Sequence, residues 1–589
     1  MKNFILLFSI CLFSLFSQAQ TPSVQWQKSL GGTENEKLTK LIQTTDGGSI
    51  AGGYSNSKDG DVTGHGATIN SDYWVVKLDG GGNLQWQKSL GGTKRDELTA
   101  ISQTTDGGYI IGGYSESNDG DVTGHHGSTN GSDYWIVKLD GSGNLQWQKS
   151  LGGTASDILI TISQTSDGGY IAGGHSNSTD GDVTGHHGLA NTEDYWIVKL
   201  DSSGNLQWQK SLGGTQSEYL STLSQTTDGY ILGGTSLSLD GNVTGHHGSQ
   251  SFIDYWIVKL DASGNLQWQK SLGGTNDDIL VTLSQTTDGG CIAGGYSLSN
   301  DGDVTGHHGT TSFRDYWIIK LNANGNQQWQ KSLGGTNLDE LATLSQTTDG
   351  GYIVGGSSVS TDGDVTGNHG NSQDYWIVKL DGSGNLQWQK SLGGTAGDYL
   401  RTLNQTTDGN YIAAGNSYSN DGDVTGHNGG ALNKQDYWIV KLDANGNLQW
   451  QKSLGGTAGD YLETLNQTTD GNYIVAGNSD SNDGDVTGHH GALNRQDYWI
   501  VKLGTSTSVE NIFNTNFLKI YPNPTTGIFT IKTTNEGLLE ILTLHGELIK
   551  REVITKNEIV INLPDLSKGI YLLRYISKSE IQTNKIIIQ

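Results

Sequence analysis

The sequence predicts an all-β protein: an eight-bladed β-propeller over residues 20–503, followed by a small C-terminal β domain. Three observations predict it. The composition, with 87 Gly, 4 Pro and 16 Trp in 589 residues and 33% hydrophobic residues, is too glycine-rich for helices and too aromatic for a disordered chain. A "WQKSLGGT"-type string starts at Trp26, Trp86, Trp147, Trp208, Trp268, Trp329, Trp388 and Trp450. A fixed period of about 60 residues is the mark of a solenoid or propeller. A second Trp, in "DYW", recurs at Trp74, Trp135, Trp196, Trp256, Trp317, Trp376, Trp438 and Trp499, so eight repeats use all sixteen Trp.

The chain opens on an address. Lys2, the apolar run Phe4–Phe16 and Ser17-Gln18-Ala19 make a signal peptide over 1–19, cleaved between Ala19 and Gln20. That run is too short to span a bilayer as a helix and no later run is longer, so the mature protein is expected to be exported without a membrane span. Cys11 leaves with the signal. Cys291 then stands alone and cannot form an internal disulfide. It occupies a position held by Tyr in most repeats, which makes it a strand residue rather than a nucleophile.

Each repeat reads as four strands. In one copy they are "LQWQKSL" (Leu84–Leu90), "LTAISQT" (Leu98–Thr104), "YIIGGYS" (Tyr109–Ser115) and "DYWIVKL" (Asp133–Leu139), rich in β-branched and aromatic residues. "TDGG" (Thr105–Gly108) and "DGSGN" (Asp140–Asn144) are tight turns, because Gly and Asn accept positive φ. Four antiparallel strands repeated eight times is a propeller pattern. The chain enters on Val24–Leu30 and leaves the last repeat on Asp497–Leu503, so the N-terminal strand is expected to complete the last blade. The strand order resembles kelch repeats, although the period exceeds the kelch value of about 50. That resemblance implies "LTAISQT" innermost and "LQWQKSL" outermost. A Trp in an alternating strand is read as core between blades.

After Leu503 the repeat stops. Residues 504–515 read as a linker, and 516–589 as a separate small domain holding three of the four Pro and no Trp. "KIYPNPTTGIFTIK" (Lys519–Lys532), "LPDLSKGIYLLRY" (Leu563–Tyr575) and a final "NKIIIQ" stand in order. This tail resembles the C-terminal sorting domain of type IX secretion cargo. The motif residues are Tyr521, Pro522, Asn523, Pro524, Gly527, Gly569 and Tyr571. The resemblance implies a small β-sandwich sorting domain, recognition by the type IX translocon and sorting machinery, and a secreted or cell-surface destination.

Net charge is −26, yet from Glu510 onward there are 9 basic and 8 acidic residues. The acidity belongs to the repeats, and no basic patch suggests nucleic acid or an anionic membrane surface. The loop "SNDGDVTGHHG" (Ser117–Gly127) and its copies hold thirteen of the fifteen His and seven Asp-Gly-Asp triplets. Two readings stand side by side. In one, Asp59, Asp61, Asp119, Asp121, Asp180, Asp182, Asp301, Asp303, Asp362, Asp364, Asp421, Asp423, Asp483 and Asp485, with His125, His186, His307 and His489, hold a metal or ligand, calcium being the candidate cofactor. In the other, Asp caps its own turn and His packs on the neighbouring loop. Adjacent His are expected to point apart in an extended chain. No catalytic elbow, zinc motif or phosphate loop is present. Eight near-identical repeats offer the same residues eight times, whereas a catalytic site needs different ones. The function expected is a multivalent, non-enzymatic binding or adhesion module for glycan, polysaccharide or a surface protein. The alternatives are a metal-rigidified scaffold and, disfavoured, a polysaccharide-degrading enzyme.

Overall fold

The computed structural model describes residues 21–64, 70–127, 131–189, 191–429, 434–492, 495–504, 518–533, 536–543, 547–555, 558–564, 566–577 and 581–589. The signal peptide, the cleavage site at Ala19 and Gln20, and all of the expected linker except Gly504 lie outside these residues. The chain divides into two compact units, Met1–Thr505 and Ser506–Gln589.

The described residues of the first unit form eight four-stranded antiparallel sheets, a repeated all-β arrangement consistent with a β-propeller. Sheets 1 to 7 begin at Glu36, Asp96, Asp157, Glu218, Asp278, Asp339 and Asp398. Sheet 2 is typical, with strands Asp96–Gln103, Tyr109–Ser115, Asp133–Leu139 and Leu145–Leu151 in that order. Sheet 8 combines Asp460–Gln467, Tyr473–Ser479 and Asp497–Gly504 with the N-terminal strand Ser23–Leu30. Val24 pairs with Leu503 and Leu30 with Tyr498, so the N-terminal strand forms one edge of the last repeat's sheet.

The first strand of each sheet starts two residues earlier than its alternation suggests, at Asp96 rather than Leu98. The cause is a buried acid. Asp96 accepts from Gly92 N (2.9 Å) and Ser117 Oγ (2.9 Å), which extends the pairing to Asp96↔Ser115. The "TDGG" turn closes as expected, with Thr104 N donating to Gly108 O and Gly107 at φ +80°.

Each hydrophobic cluster lies between consecutive sheets. Ile50, Tyr73 and Val75 of sheet 1 pack with Leu98, Ile111, Trp135 and Val137 of sheet 2, and sheet 8 packs on sheet 1 through Tyr498, Ile500 and Trp74. The Tyr and Trp of "DYW" carry this seam. The Tyr73 ring lies 4.5 Å from Trp135 and its hydroxyl donates to Trp135 O (2.9 Å). The same bond runs from Tyr134 to Trp196 and onward, and returns from Tyr498 to Trp74 O (3.1 Å). Both aromatics are fully buried, and such ring pairs add about 0.5–1.5 kcal/mol beyond their buried area. The "WQKSL" Trp sits at the rim of that core: Trp450 is buried within it and the others pack against it. Trp86 is half-buried, lies against Gly143 and donates its indole N–H to Gly141 O (3.2 Å) in the next sheet's turn. Cys291 is fully buried, and burial pushes its thiol up to about 12.

The second unit has a three-stranded sheet (Leu518–Tyr521, Ile528–Thr533, Glu558–Asn562) and a four-stranded one (Leu548–Ile554, Gly537–Leu542, Gly569–Ser577, Ile581–Ile588). Phe529, Ile531 and Ile561 of the first share one core with Leu539, Ile541, Leu573 and Ile586 of the second. The Pro-Asn-Pro motif is tied to the final strand: Asn523 Nδ2 donates to Lys585 O (2.7 Å) and Asn523 Oδ1 accepts from Ile587 N (2.9 Å). Gly527 sits at φ +101°. Tyr571 donates its hydroxyl to Ser567 O (2.8 Å).

Candidate functional site

The Asp-Gly-Asp loop is held by the "GGT" loop that precedes its sheet. Asp119 accepts from Thr93 N and Thr93 Oγ1, both at 2.8 Å. The same Thr–Asp pair recurs at Asp59, Asp180, Asp301, Asp362, Asp421 and Asp483. The second Asp turns elsewhere: Asp121 Oδ2 accepts from Gly91 N (3.2 Å), and Asp61, Asp182, Asp303, Asp364, Asp423 and Asp485 do likewise. Gly120 at φ +66° makes this bend, because a Cβ there would meet Gly91 O at 2.3 Å.

The loop carboxylates therefore serve amide and hydroxyl donors of a neighbouring loop instead of converging. Calcium takes about six to eight oxygen ligands, and this donor set does not fit it. Among the described residues no three His, Cys, Asp or Glu side chains gather as a metal site would require.

The histidines depart from expectation. With Gly124 at φ +87° the loop is folded, not extended, and both imidazoles of a pair turn to one carboxylate. His126 Nδ1 lies 2.9 Å from Asp133 Oδ2 and His125 Nδ1 lies 3.6 Å from it. His125, His186, His307 and His489 are almost fully buried. Their neighbours bridge sheets: the other end of the His126 ring is 3.5 Å from Asp182 Oδ2 of sheet 3. Burial pushes His125 down. His126 is raised against its own desolvation by hydrogen bonding to Asp133.

Sequence reasoning did not single out the acid that opens each first strand. Asp157 is buried at the seam beside Asp133 of the previous sheet, and a Cβ on Gly152 would lie 2.4 Å from one carboxylate and 2.8 Å from the other. Burial pushes Asp157 up to about 7, with the Asp133 charge adding. Glu36, Asp96, Glu218, Asp278, Asp339, Asp398 and Asp460 are likewise raised to about 7. The signal was an acid four residues after the second Gly of every "GGT" string.

Between the loop and the fourth strand the seam leaves a cavity. One of about 330 Å³ is lined by Thr366, His369, Gln389, Lys390, Asp423 and Leu448. Another of about 410 Å³ lies at the sheet 8–sheet 1 seam, lined by the equivalent Thr487, His490, Gln27, Lys28, Asp61 and Leu84. His and Asp are about one-third and one-quarter exposed there, and Leu84 is 43% exposed. Lys28 and Lys390 make no hydrogen bond or ion pair among the described residues. Each cavity thus offers a cation, a carboxylate, an imidazole, an amide and an apolar edge.

Residues 519–589 match the family described as secretion system C-terminal sorting domain. The chain is exported by type IX secretion to the cell surface or extracellular space. Over 228 residues it is 26% identical to Regulatory protein FlaEY of Caulobacter vibrioides, a match that takes in 36% of this chain and 23% of that protein. The chain therefore spans under a quarter of that relative's length. The crystal structure of Sqt1 from Chaetomium thermophilum is similar over 82% of this chain and 100% of that one, at 11% identity and a TM-score of 0.44. Puromycin hydrolase is similar over 81% and 64%, at 10% identity and a TM-score of 0.37. Likenesses at this level carry no functional argument. No helix among the described residues is long and apolar enough to cross a membrane.

Proposed function

We propose that the eight sheets are the blades of one closed, kelch-like propeller and that the C-terminal unit is a β-sandwich. On this reading the propeller is a non-enzymatic, multivalent module that binds glycan or another repetitive surface polymer. The supporting observation is the same polar cavity, with the same six residue types, at seams as distant in sequence as sheets 6–7 and 8–1. Two other seams carry all six residue types, as in Thr123, His126, Gln148, Lys149, Asp182 and Leu206. A site with millimolar affinity supplies about −4 kcal/mol. Several such sites on one rigid body raise avidity by roughly 10² to 10⁴ when the ligand repeats. The test is retention on immobilised polysaccharides compared with the free monosaccharide. Lys390→Ala with His369→Ala in one seam should leave retention nearly unchanged, and the same pair in four seams should abolish it. Loss of all binding from one seam would overturn the multivalent reading.

The carboxylates engaged at every loop favour a second reading, a surface scaffold without a ligand. Failure to bind any polymer, with the fold intact, would select it.

A further inference from the structure

The repeats are not alike everywhere. The second residue of the first strand is Lys37, Glu97, Ile158, Tyr219, Ile279, Glu340, Tyr399 and Tyr461 in sheets 1 to 8, and the fourth is Thr39, Thr99, Ile160, Ser221, Val281, Ala342, Arg401 and Glu463. The second strand varies next to its closing Ser, with Tyr54, Tyr114, His175, Thr235, Tyr296, Ser357, Asn416 and Asn478. These positions face one another across adjacent sheets. Asn416 Oδ1 accepts from Leu462 N (2.7 Å) and Asn478 Oδ1 from Leu38 N (2.7 Å).

Sheet 6 is small at two of these positions. Ser357 keeps the inter-sheet bond, its hydroxyl accepting from Leu400 N at 3.2 Å, but it lacks the bulk of Tyr or Asn. Ala342 stands beside it. A cavity of about 390 Å³ opens there, walled by Tyr296, Glu340, Ala342, Ser357, Tyr399 and Arg401 from three consecutive sheets. That volume lies within the roughly 300–1,000 Å³ of small-ligand sites.

Its walls are braced. The Arg314 guanidinium lies 4.3 Å over the Tyr296 ring and pairs with Glu340, so that carboxylate is already engaged. Tyr399 packs edge-on against Tyr418 at 6.1 Å. Arg401 is the exception: it is exposed, and makes no hydrogen bond or ion pair among the described residues. Glu463 of sheet 8 acts on it only through space, and Lys37 of sheet 1 also acts on Glu463.

We propose that this pocket is a single-copy site for one acidic sugar residue of the uronate class. A free guanidinium at the mouth matches a planar carboxylate, with two parallel N–H···O bonds. The two positioned phenol rings present faces and edges to a pyranose ring, and the Ser357 hydroxyl adds a polar contact. A neutral sugar would leave Arg401 without a partner. The site is distinct from the seam cavities and does not rest on them: it is formed by first and second strands, and only sheet 6 combines Ala with Ser at these two positions.

The experiment is calorimetric titration of the whole chain with glucuronate and with glucose, alongside two variants. Arg401→Gln removes the charge. Ser357→Tyr fills the pocket with the side chain that sheets 1, 2 and 5 carry at that position. The expected result is one equivalent of glucuronate per chain and at least tenfold weaker binding of glucose. Arg401→Gln should weaken glucuronate at least tenfold, and Ser357→Tyr should abolish binding. If the Tyr variant does not fold, Ser357→Asn, the residue of sheets 7 and 8, takes its place with the same expectation. The seam variant Lys390→Ala with His369→Ala should leave this titration unchanged even where it lowers polymer retention. No binding at millimolar glucuronate, several equivalents per chain, or binding indifferent to Arg401→Gln would each overturn the proposal.

Discussion

The seams and the first strands of the same sheets obey opposite rules. At the seams the chain repeats itself: a Tyr hydroxyl donates to the next sheet's Trp carbonyl eight times, from Tyr73 through Tyr498, and Thr93 caps Asp119 as Thr457 caps Asp483. Along the first strands it varies, passing from Ile158 and Ile160 in sheet 3 to Tyr399 and Arg401 in sheet 7. The contrast separates two physical demands. Packing one sheet on the next at a constant angle needs the same side chains each time, since interiors are close-packed and feel even one methylene. Recognition of one asymmetric molecule needs positions free of that demand. Regularity in this protein marks what holds it together, and irregularity marks where it could discriminate.

The largest effect that would break this contrast is at the seam between sheets 8 and 1. Deleting Thr21–Gly32 removes the strand paired with Asp497–Gly504 and exposes an edge. The expected outcome is a fall in Tm of about 10 °C or more, at roughly 2–4 °C per kcal/mol. A deletion variant that melts like the parent would show that this seam is unlike the others.

Next in size is pH. The eight acids opening the first strands have folded-state values near 7, against about 4 in an unfolded chain. Between those values the folded chain holds protons that the unfolded chain has lost, so each group's stabilisation is full below about pH 4 and is lost as pH rises through 7. The buried histidines His125, His175, His246 and His427, pushed down by burial, oppose this below their usual value near 6.5. Eight acids outweigh four histidines, so Tm should be higher at pH 5 than at pH 8. Asp46, Asp106 and Asp167, paired with buried lysines and held at about 2, contribute stability that is lost only as pH falls from about 4 to 2. Asp157→Asn should raise Tm at pH 8 and flatten the slope. A melting curve unchanged from pH 5 to pH 8 would show the seam carboxyls fully ionised.

A smaller effect sharpens the claim of equality. Tyr134→Phe removes one hydroxyl bond to Trp196 O and should cost about 1 kcal/mol. Tyr498→Phe should cost the same if the seam of sheets 8 and 1 equals the rest, and thermal melts of the two variants measure the difference directly.

The smallest concerns the loop. Asp119→Ala loses the two bonds from Thr93 and should cost about 1 kcal/mol, as loss of a capping side chain does. Neither the parent nor the variant should shift in Tm with millimolar calcium or a chelator. A calcium-dependent rise would restore the metal reading of the Asp-Gly-Asp triplets.

Much of this was legible in residue order. The period of about 60, the two Trp per repeat and the Gly-Asn turns encode four strands per unit locally, because alternation and positive φ are properties of a few neighbouring residues. The entry string Val24–Leu30 and the exit string Asp497–Leu503 announced their own pairing, and the "YPNP" tail carried its address. What the sequence could not assign was direction between sheets. Nothing along the chain says that Asp119 reaches Thr93 while Asp121 reaches Gly91, that adjacent histidines share one carboxylate, or that Asp133 and Asp157 are buried together. Those facts arise where two sheets meet, between residues about 25 positions apart or on different repeats, and only packing decides them. The pocket at Ser357 and Ala342 is the clearest case. In sequence they are two small residues fifteen positions apart; in the fold, with Tyr296, Tyr399 and Arg401 from flanking sheets, they are an opening, because a cavity is defined by what surrounds it.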